Sequence, residues 1–374
     1  MKVTNQILLS LFVLFIGGVS LTYVFTEDRA FSETENRVLA QMPTFTWDKF
    51  IAGKFTKEFE TYLSDQFVKK DFWTGLKAVT EKVSLKKENN GIYFGKDGYL
   101  FERFPEPGKQ FTANINHLNL FSDKLQGLNL YVMTAPTSIA MYPEKLPKYA
   151  YSADQLTALN TMKEQLNPSI HWIDIYKPLE DAKDEPLYYH TDHHWTTHGA
   201  FIAYEEAAKA MGLQAYTKED FTIDQVSNKF YGTYDAKAND FTVTPDSIEL
   251  YKPNFDIEYT VEFGDDTKNL DGLYAWEFLK KRDQYAMFLN GNHGKVVIHS
   301  TNKNGRKLLV VKDSYAHALI PFLANHFEEI HMIDLRYTHE KLDHYMEQQD
   351  IQDALVVYNI STFADDPNII WLRQ

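Results

Sequence analysis

Cysteine is absent from all 374 residues. No disulfide can staple this fold and no mixed Cys/His zinc site can form, so cysteine usage leaves the compartment open. Basic residues are also short: 38 Lys and Arg stand against 52 Asp and Glu, a formal net charge of −14. Such a chain lacks the basic face that a phosphate backbone demands, which argues against nucleic acid as a partner but leaves a neutral polysaccharide possible. Internal repeats and low-complexity stretches are missing. The balance of 24% charged and 44% hydrophobic residues is that of a globular chain, long enough for one large domain or two. Aromatic residues are plentiful at 15%; they stack on sugar rings and also fill cores.

The run Ile7 to Phe25 carries no charge, and at 1.5 Å per residue it nearly crosses a hydrocarbon core. Lys2 precedes it and Glu27 and Asp28 follow, so the positive-inside rule leaves the N-terminus in the cytoplasm and the remainder outside. With no Ala-X-Ala-like cleavage site, an uncleaved anchor is favoured over a signal peptide. Beyond it, residues 27–45 read as polar and extended. Residues 46–87 read as helical, with Trp47, Phe50, Phe55, Phe59, Tyr62, Phe67, Phe72 and Trp73 expected to pack in a core. Ile92 to Phe101 reads as a hairpin about Lys96-Asp97-Gly98.

Helical patterns at 112–126, 153–165 and 197–211 then alternate with apolar runs at 128–136 and 170–175. From Arg306 on the alternation is clean, with strands at 308–311, 329–335 and 354–358 and helices at 315–326 and 340–348. Strands alternating with helices predict an α/β fold with a mainly parallel sheet and helices on both faces. Ligands on such sheets bind beyond the carboxyl ends of the strands, which would gather Ser314, Arg336 and Asn359 on one rim. Residues 213–300 are turn-rich and read as an insertion.

Chemistry concentrates in Tyr189-His190-Thr191-Asp192-His193-His194-Trp195-Thr196-Thr197-His198, where four imidazoles and a carboxylate fall within ten residues. Three readings compete. Asp192 and His194 can be the acid and base of a nucleophilic hydrolase; His190, His194 and His198 can be metal ligands; or the stretch is a polar helix start with solvated histidines. The zincin pattern needs Glu after the first His, and Trp195 stands there. The catalytic reading gains from Leu308-Leu309-Val310-Val311-Lys312-Asp313-Ser314-Tyr315, an apolar strand feeding a Ser at a strand-to-helix turn, where backbone N–H groups can stabilise an oxyanion. Asp192 and His194, two apart, share one side of an extended or turn segment, so one loop can present both to Ser314. Asp313 is a rival carboxylate, badly placed next to Ser314. Asn359 and Asn292 are candidate amide donors.

The Asp192-His193-His194-Trp195 run resembles the signature of the DHHW family, which is similar to the alginate O-acetyltransferase group of the SGNH-hydrolase superfamily. The blocks Glu35-Asn36-Arg37, Phe59-Glu60, Asp65-Gln66-Phe67, Gly95 to Phe101, Pro136-Thr137, Lys312 to Tyr315 and Asp334-Leu335-Arg336-Tyr337 carry the resemblance further. It implies a permuted SGNH-like three-layer fold with Asp192, His194 and Ser314 as triad. The implied layout is an anchor over 1–26, a polar linker and helical segment over 27–90 and a catalytic domain over 91–374, with the insertion at 213–300. Lys312 stands where the parent superfamily has Gly, and Tyr358-Asn359 replaces its Gly-X-Asn-Asp, which leaves the oxyanion donors open among Asn359, Asn292 and the turn after 329–335. Tyr315, Trp195, His193 and Arg336 are substrate candidates, Trp195 as a sugar platform or packed beneath His194, Arg336 as a ligand or a salt bridge. His190, His198 and His317 are local hydrogen-bond partners. The resemblance implies a single-pass, extracytoplasmic O-acetyltransferase needing no metal or cofactor, a polysaccharide acceptor, and acetyl groups delivered by a membrane-bound O-acyltransferase. An acetylesterase using the same triad and a non-catalytic glycan-binding component are the alternatives.

Overall fold

The computed structural model describes residues 2–125, 127–265 and 267–373. The chain forms two compact units, Met1–Asn89 with Ala236–Thr242, and Asn90–Asp235 with Val243–Gln374. The seven residues from 236 are therefore an addition to the expected boundary near 90.

The first unit opens on α1 (Lys2–Phe25), whose segment Val3–Tyr23 is long and apolar enough to cross a membrane and is not buried against protein. Three shorter helices follow: α2 (Trp47–Ile51), α3 (Lys54–Asp65) and α4 (Lys70–Val83). Thr46 caps α2, its hydroxyl accepting the Lys49 N–H. Buried Asp65 ties the unit together, receiving the Arg37 guanidinium at 2.5 Å, the Lys70 ammonium at 3.0 Å and the Ala40 N–H at 2.9 Å. The aromatic residues of 46–87 do not form the expected core: Trp47, Phe50, Phe67, Phe72 and Trp73 are all exposed.

The second unit begins with the expected hairpin, β1 (Ile92–Phe94) and β2 (Leu100–Glu102), paired antiparallel. Then come α5 (Lys109–Lys124), β3 (Asn129–Ala135), α6 (Gln155–Gln165), β4 (Ile170–Ile173) and α7 (Thr197–Ala210). Gln126, the last residue expected in the helix before β3, lies outside the described residues. After a two-stranded ribbon of β5 (Phe221–Phe230) and β6 (Asp246–Pro253) come β7 (Tyr259–Phe263), β8 (Leu270–Asp271) and β9 (Lys295–Ser300). The chain closes with β10 (Lys307–Lys312), α8 (Ala316–Leu323), β11 (Glu329–Ile333), α9 (Leu342–Gln349), β12 (Asp353–Asn359) and α10 (Ile360–Asp365).

The eight-stranded central sheet runs β8-β7-β9-β11-β10-β12-β3-β4. From β11 to β4 all pairs are parallel, with Val311 opposite both Ile333 and Val356; β9, β7 and β8 extend one edge antiparallel. The sheet is thus mainly parallel, as expected. Residues 213–300 are a correction: three of their five strands belong to the sheet, so they are not merely an excursion from it.

Alternation along β10 explains the layering. Leu308 and Val310 face a core shared with Ala200, Ala203 and Ala207 of α7 and with α8, while Leu309 and Val311 face one shared with α5, α6 and α9. Each fully buried Leu or Val side chain contributes about 1.5–3 kcal/mol, and strands covered on both faces read as unbroken apolar runs. The design places the carboxyl ends of β10, β11, β12 and β3 on one rim.

Candidate active site

Residues 187–196 double back tightly. Tyr188 bridges Trp195, the Thr196 N–H donates to the Leu187 carbonyl at 2.8 Å, and the Thr196 hydroxyl then caps α7 by accepting the Gly199 N–H. The tip of the loop is held by buried Asp246 at the start of β6. It accepts the N–H groups of His190 and Thr191 at 2.9 and 2.8 Å, the Thr191 hydroxyl at 2.6 Å and His190 Nδ1 at 2.8 Å. This presents Asp192, His193 and His194 to the sheet rim.

Asp192 Oδ1 lies 2.5 Å from His194 Nδ1, and His194 Nε2 lies 2.7 Å from Ser314 Oγ. The other carboxylate oxygen, Oδ2, accepts the Thr233 N–H at 2.8 Å and its hydroxyl at 3.1 Å. Gly232 is forced by this approach, since a Cβ there would stand 2.2 Å from Asp192 Cβ. Burial pushes the Asp192 carboxyl upward, but His193 and His194 outweigh it and hold it well below the usual range. Burial lowers His194 to about 4, with His193 adding to the effect and Asp192 opposing it. Near neutral pH His194 is therefore uncharged, the state in which Nδ1–H can donate to Asp192 while the Nε2 lone pair faces the Ser314 hydroxyl. Burial also works against the His193 cation, yet Asp192 outweighs it and raises this imidazole.

Ser314 follows β10 on a turn fixed by Asp313, whose carboxylate accepts the Tyr315 N–H at 2.9 Å and the Asn359 N–H and amide at 2.9 and 2.7 Å. Among the described residues Asp313 hydrogen-bonds no histidine. The Ser314 N–H has no acceptor among the described residues. Beneath the turn, buried Lys312 reaches Asp334 at 3.1 Å and His317 Nε2 at 2.9 Å.

The relay opens into a cavity of about 300 Å³ whose walls include His193, Thr233, Tyr285, Asn292 and His317. Asn292 sits there on a curled loop. Leu289, Asn290 and Gly291 all have positive φ (55°, 62° and 80°), a costly run for the two non-glycines. It is held by the Leu289 N–H to Leu273 carbonyl bond at 3.0 Å. The Asn292 carbonyl oxygen accepts from Lys312 Nζ at 3.3 Å and Arg336 Nη2 at 3.4 Å, which leaves its NH₂ group to the cavity.

Four expectations need correction. Trp195 is fully buried and cannot be a sugar platform; the ring stacked on His194 is Tyr285, at 3.7 Å and 10°. Tyr315 is equally buried. The two form a clasp: Trp195 Nε1 donates to the Tyr315 carbonyl at 3.0 Å, and the Tyr315 hydroxyl donates to the His193 carbonyl, fastening the histidine loop to the turn at Ser314. Asn359 caps α10, and both its amide hydrogens are engaged, by Asp313 and by the Thr362 hydroxyl, so it has none left for an oxyanion. Arg336 is folded onto Asp334 at 2.6 Å, as its salt-bridge reading had it, and turns its free edge to Asn292. The turn after β11 offers no spare donors at 336 or 337, since the Arg336 and Tyr337 N–H groups both return to Asp334.

The proposed ligand set His190, His194 and His198 is not assembled. His190 pairs with Asp246, His198 with Glu185 and Tyr251, and both His194 nitrogens are engaged by Asp192 and Ser314. His193 bonds the Thr233 hydroxyl at 2.6 Å and packs its ring 3.7 Å from that of His194. Sequence reasoning missed Tyr285, Gly232, Thr233 and Asp246. All four lie in the stretch taken as an insertion, and only the Gly in Tyr231-Gly232-Thr233 offered a signal.

A family model described as DHHW protein matches residues 95–333. The chain belongs to the DHHW family. Among curated relatives, the "Probable alginate O-acetylase AlgJ" of Pseudomonas syringae pv. tomato is 28% identical over 172 residues, 44% of each chain; the chain thus matches less than half the length of that relative. Among solved structures, a DHHW family protein from Eubacterium siraeum superposes with a TM-score of 0.66 at 26% identity, covering 76% of this chain and 96% of that one. Bacillus cereus PatB1 shares the fold, with a TM-score of 0.63 at 22% identity over 73% and 97% of the two chains.

Proposed function

We propose that this protein is an O-acetyltransferase, anchored by α1, that acts outside the cytoplasmic membrane on hydroxyl groups of a polysaccharide through a Ser314 acyl-enzyme. The reading rests on one observation above all, the unbroken hydrogen-bonded relay from Asp192 through His194 to Ser314 at the rim of a parallel sheet. The reaction and the substrate class come from the alginate O-acetylase relatives. On this reading the fold is SGNH-hydrolase-like in permuted order, with acid and base preceding the Ser, and 91–374 is the catalytic domain.

His194 Nε2 takes the Ser314 proton as Oγ bonds to the acetyl carbonyl carbon. The oxyanion is met by the Asn292 amide and the Ser314 N–H. As the intermediate collapses, the bond from the acetyl carbon to the donor breaks and the departing group takes the proton from His194. A sugar hydroxyl then attacks the acetyl-serine, gives its proton to His194 and leaves acetylated, and Ser314 recovers its hydrogen. Asp192 holds the tautomer throughout and stabilises the transient imidazolium. No cofactor enters these steps. Acetyl-CoA is cytosolic, so a membrane-bound O-acyltransferase is the proposed acetyl source.

The test is the full chain in detergent with p-nitrophenyl acetate as donor and a panel of oligosaccharides, alginate fragments included. Acetylated oligosaccharide accumulating faster than free acetate is the expected result. Free acetate alone, whatever the acceptor, would reassign the protein as an esterase, and a folded Ser314→Ala chain of unchanged activity would end the acyl-enzyme reading.

A further inference from the structure

Helix α4 turns its small residues inward and its large ones outward. Gly75 and Ala78 are buried, and a Cβ at Gly75 would lie 1.8 Å from the Phe241 ring, so the helix is pressed on that ring through its small face. Phe72, Leu76 and Val83, which line one stripe at spacings of four and seven, are 53%, 44% and 77% exposed. In α2 and the chain before it large apolar residues are exposed too, and no residue of α2 is buried. Phe45, Trp47 and Phe50 pack ring on ring at 5.4–6.0 Å, yet Trp47 and Phe50 remain 69% and 49% exposed. Along α3, Phe55, Phe59 and Tyr62 continue the stripe. Exposed apolar side chains gathered on three successive helices mark an interface rather than scattered exposure.

We propose that α2, α3 and α4 form a collar that lies on an anionic lipid surface. Two observations choose lipid over a protein partner. First, the collar belongs to the same unit as α1, the helix long and apolar enough to cross a membrane. Second, the charge inverts. Residues 46–87 carry nine Lys against six acidic residues in a chain of net charge −14, and Lys57, Lys69 and Lys77 have no acidic partner among the described residues. Short helices with an aromatic face and a lysine-rich remainder lie in the plane of a headgroup layer, aromatic rings at the interface and ammonium groups among anionic headgroups. The collar rests on α1 being near the bilayer and makes no use of the Ser314 relay.

The absence of cysteine makes the test direct. Phe50→Cys and Phe72→Cys, with Ser64→Cys on the α3 face opposite the Phe55–Phe59–Tyr62 stripe, are each labelled with an NBD fluorophore in the full chain. The chains are then reconstituted into phosphatidylcholine vesicles with and without phosphatidylglycerol. Nitroxide lipids should quench positions 50 and 72 about twofold or more over position 64, and a nitroxide near the headgroup should act more strongly than one deep in the acyl chain. Omitting phosphatidylglycerol, or introducing Lys69→Glu and Lys77→Glu together, should reduce the quenching. Labels at 50 and 72 no more quenched than at 64 would overturn the collar, and so would labels shielded from water but untouched by nitroxide lipid, the mark of a protein cover. Carbonate extraction of the same vesicles reports α1 separately: a chain that resists extraction with unquenched labels loses the collar and keeps the anchor.

Discussion

At the scale of single residues the relay makes graded demands. On the proposed mechanism Ser314→Ala removes the atom that carries the acyl group, so acetyl-enzyme should vanish from the intact-mass spectrum after incubation with an activated ester. His194→Ala should be nearly as severe, because the serine keeps its proton. Asp192→Asn leaves the base but upsets its tautomer, a change that costs on the order of 10⁴-fold in the serine proteases. Asn292→Ala should lower kcat by about 10²–10³-fold with little change in KM, the signature of a donor used chiefly in the transition state. Equal acetylation rates for wild type and Asn292→Ala would return the oxyanion to backbone donors alone. That Asp192, His194 and Ser314 come together was legible in the sequence because acid, base and hydroxyl chemistry is dense at 189–198 and because a serine at a strand-to-helix turn is conspicuous. Asn359 was misread for a physical reason. A strand end predicts where an amide lies, but not that Asp313 and Thr362 already take both its hydrogens. Trp195 and Tyr315 were legible as motif members, yet their clasp is made through backbone carbonyls, which leave no trace in residue type.

At the scale of elements, the parallel strands announced themselves as short apolar runs, because burial on both faces removes every polar position. Strands β7 to β9 were harder to read. They form an antiparallel edge with mixed polarity, and β9 joins the sheet beside β11, a neighbour remote in sequence. The connection between β5 and β6 held more of the site than its irregular composition implied, through Gly232 and Thr233. Gly232→Ala tests that link. The added methyl would stand 2.2 Å from Asp192 Cβ, so Asp192 or the Tyr231–Thr233 segment must move. A displacement near 1 Å in such a relay costs about 10²-fold in rate. Activity should fall by that order while the melting transition moves far less than for a core cavity. A Gly232→Ala enzyme at full rate would show that Asp192 does not need its Thr233 partners.

For the whole molecule, burial of imidazoles sets how the fold meets acid. Burial lowers His194 and His326 to about 4, and holds His317 well below and His198 and His331 below their ordinary value of 6.5. In the unfolded chain each takes a proton near pH 6.5. At these imidazoles the unfolded state binds protons below pH 6.5 that the folded state refuses, so their contribution to stability falls as pH falls, while the raised His193 works the other way. Buried carboxylates held low, Asp192 and Asp334, extend the loss below the usual carboxylate range as they are forced to protonate. Melting temperature should therefore be nearly flat from pH 8 to 7 and then drop by roughly several degrees by pH 4.5. His194 stays unprotonated through most of that interval, so loss of activity near pH 5 should follow loss of structure rather than titration of the base. His326, bonded to the Tyr204 hydroxyl at 2.7 Å and remote from the relay, separates the two causes. His326→Gln removes one of the depressed imidazoles and should flatten the melting-temperature profile between pH 6.5 and 4.5 without moving kcat at pH 7. A profile as steep in the variant as in the wild type would mean that the acid sensitivity lies elsewhere in the fold.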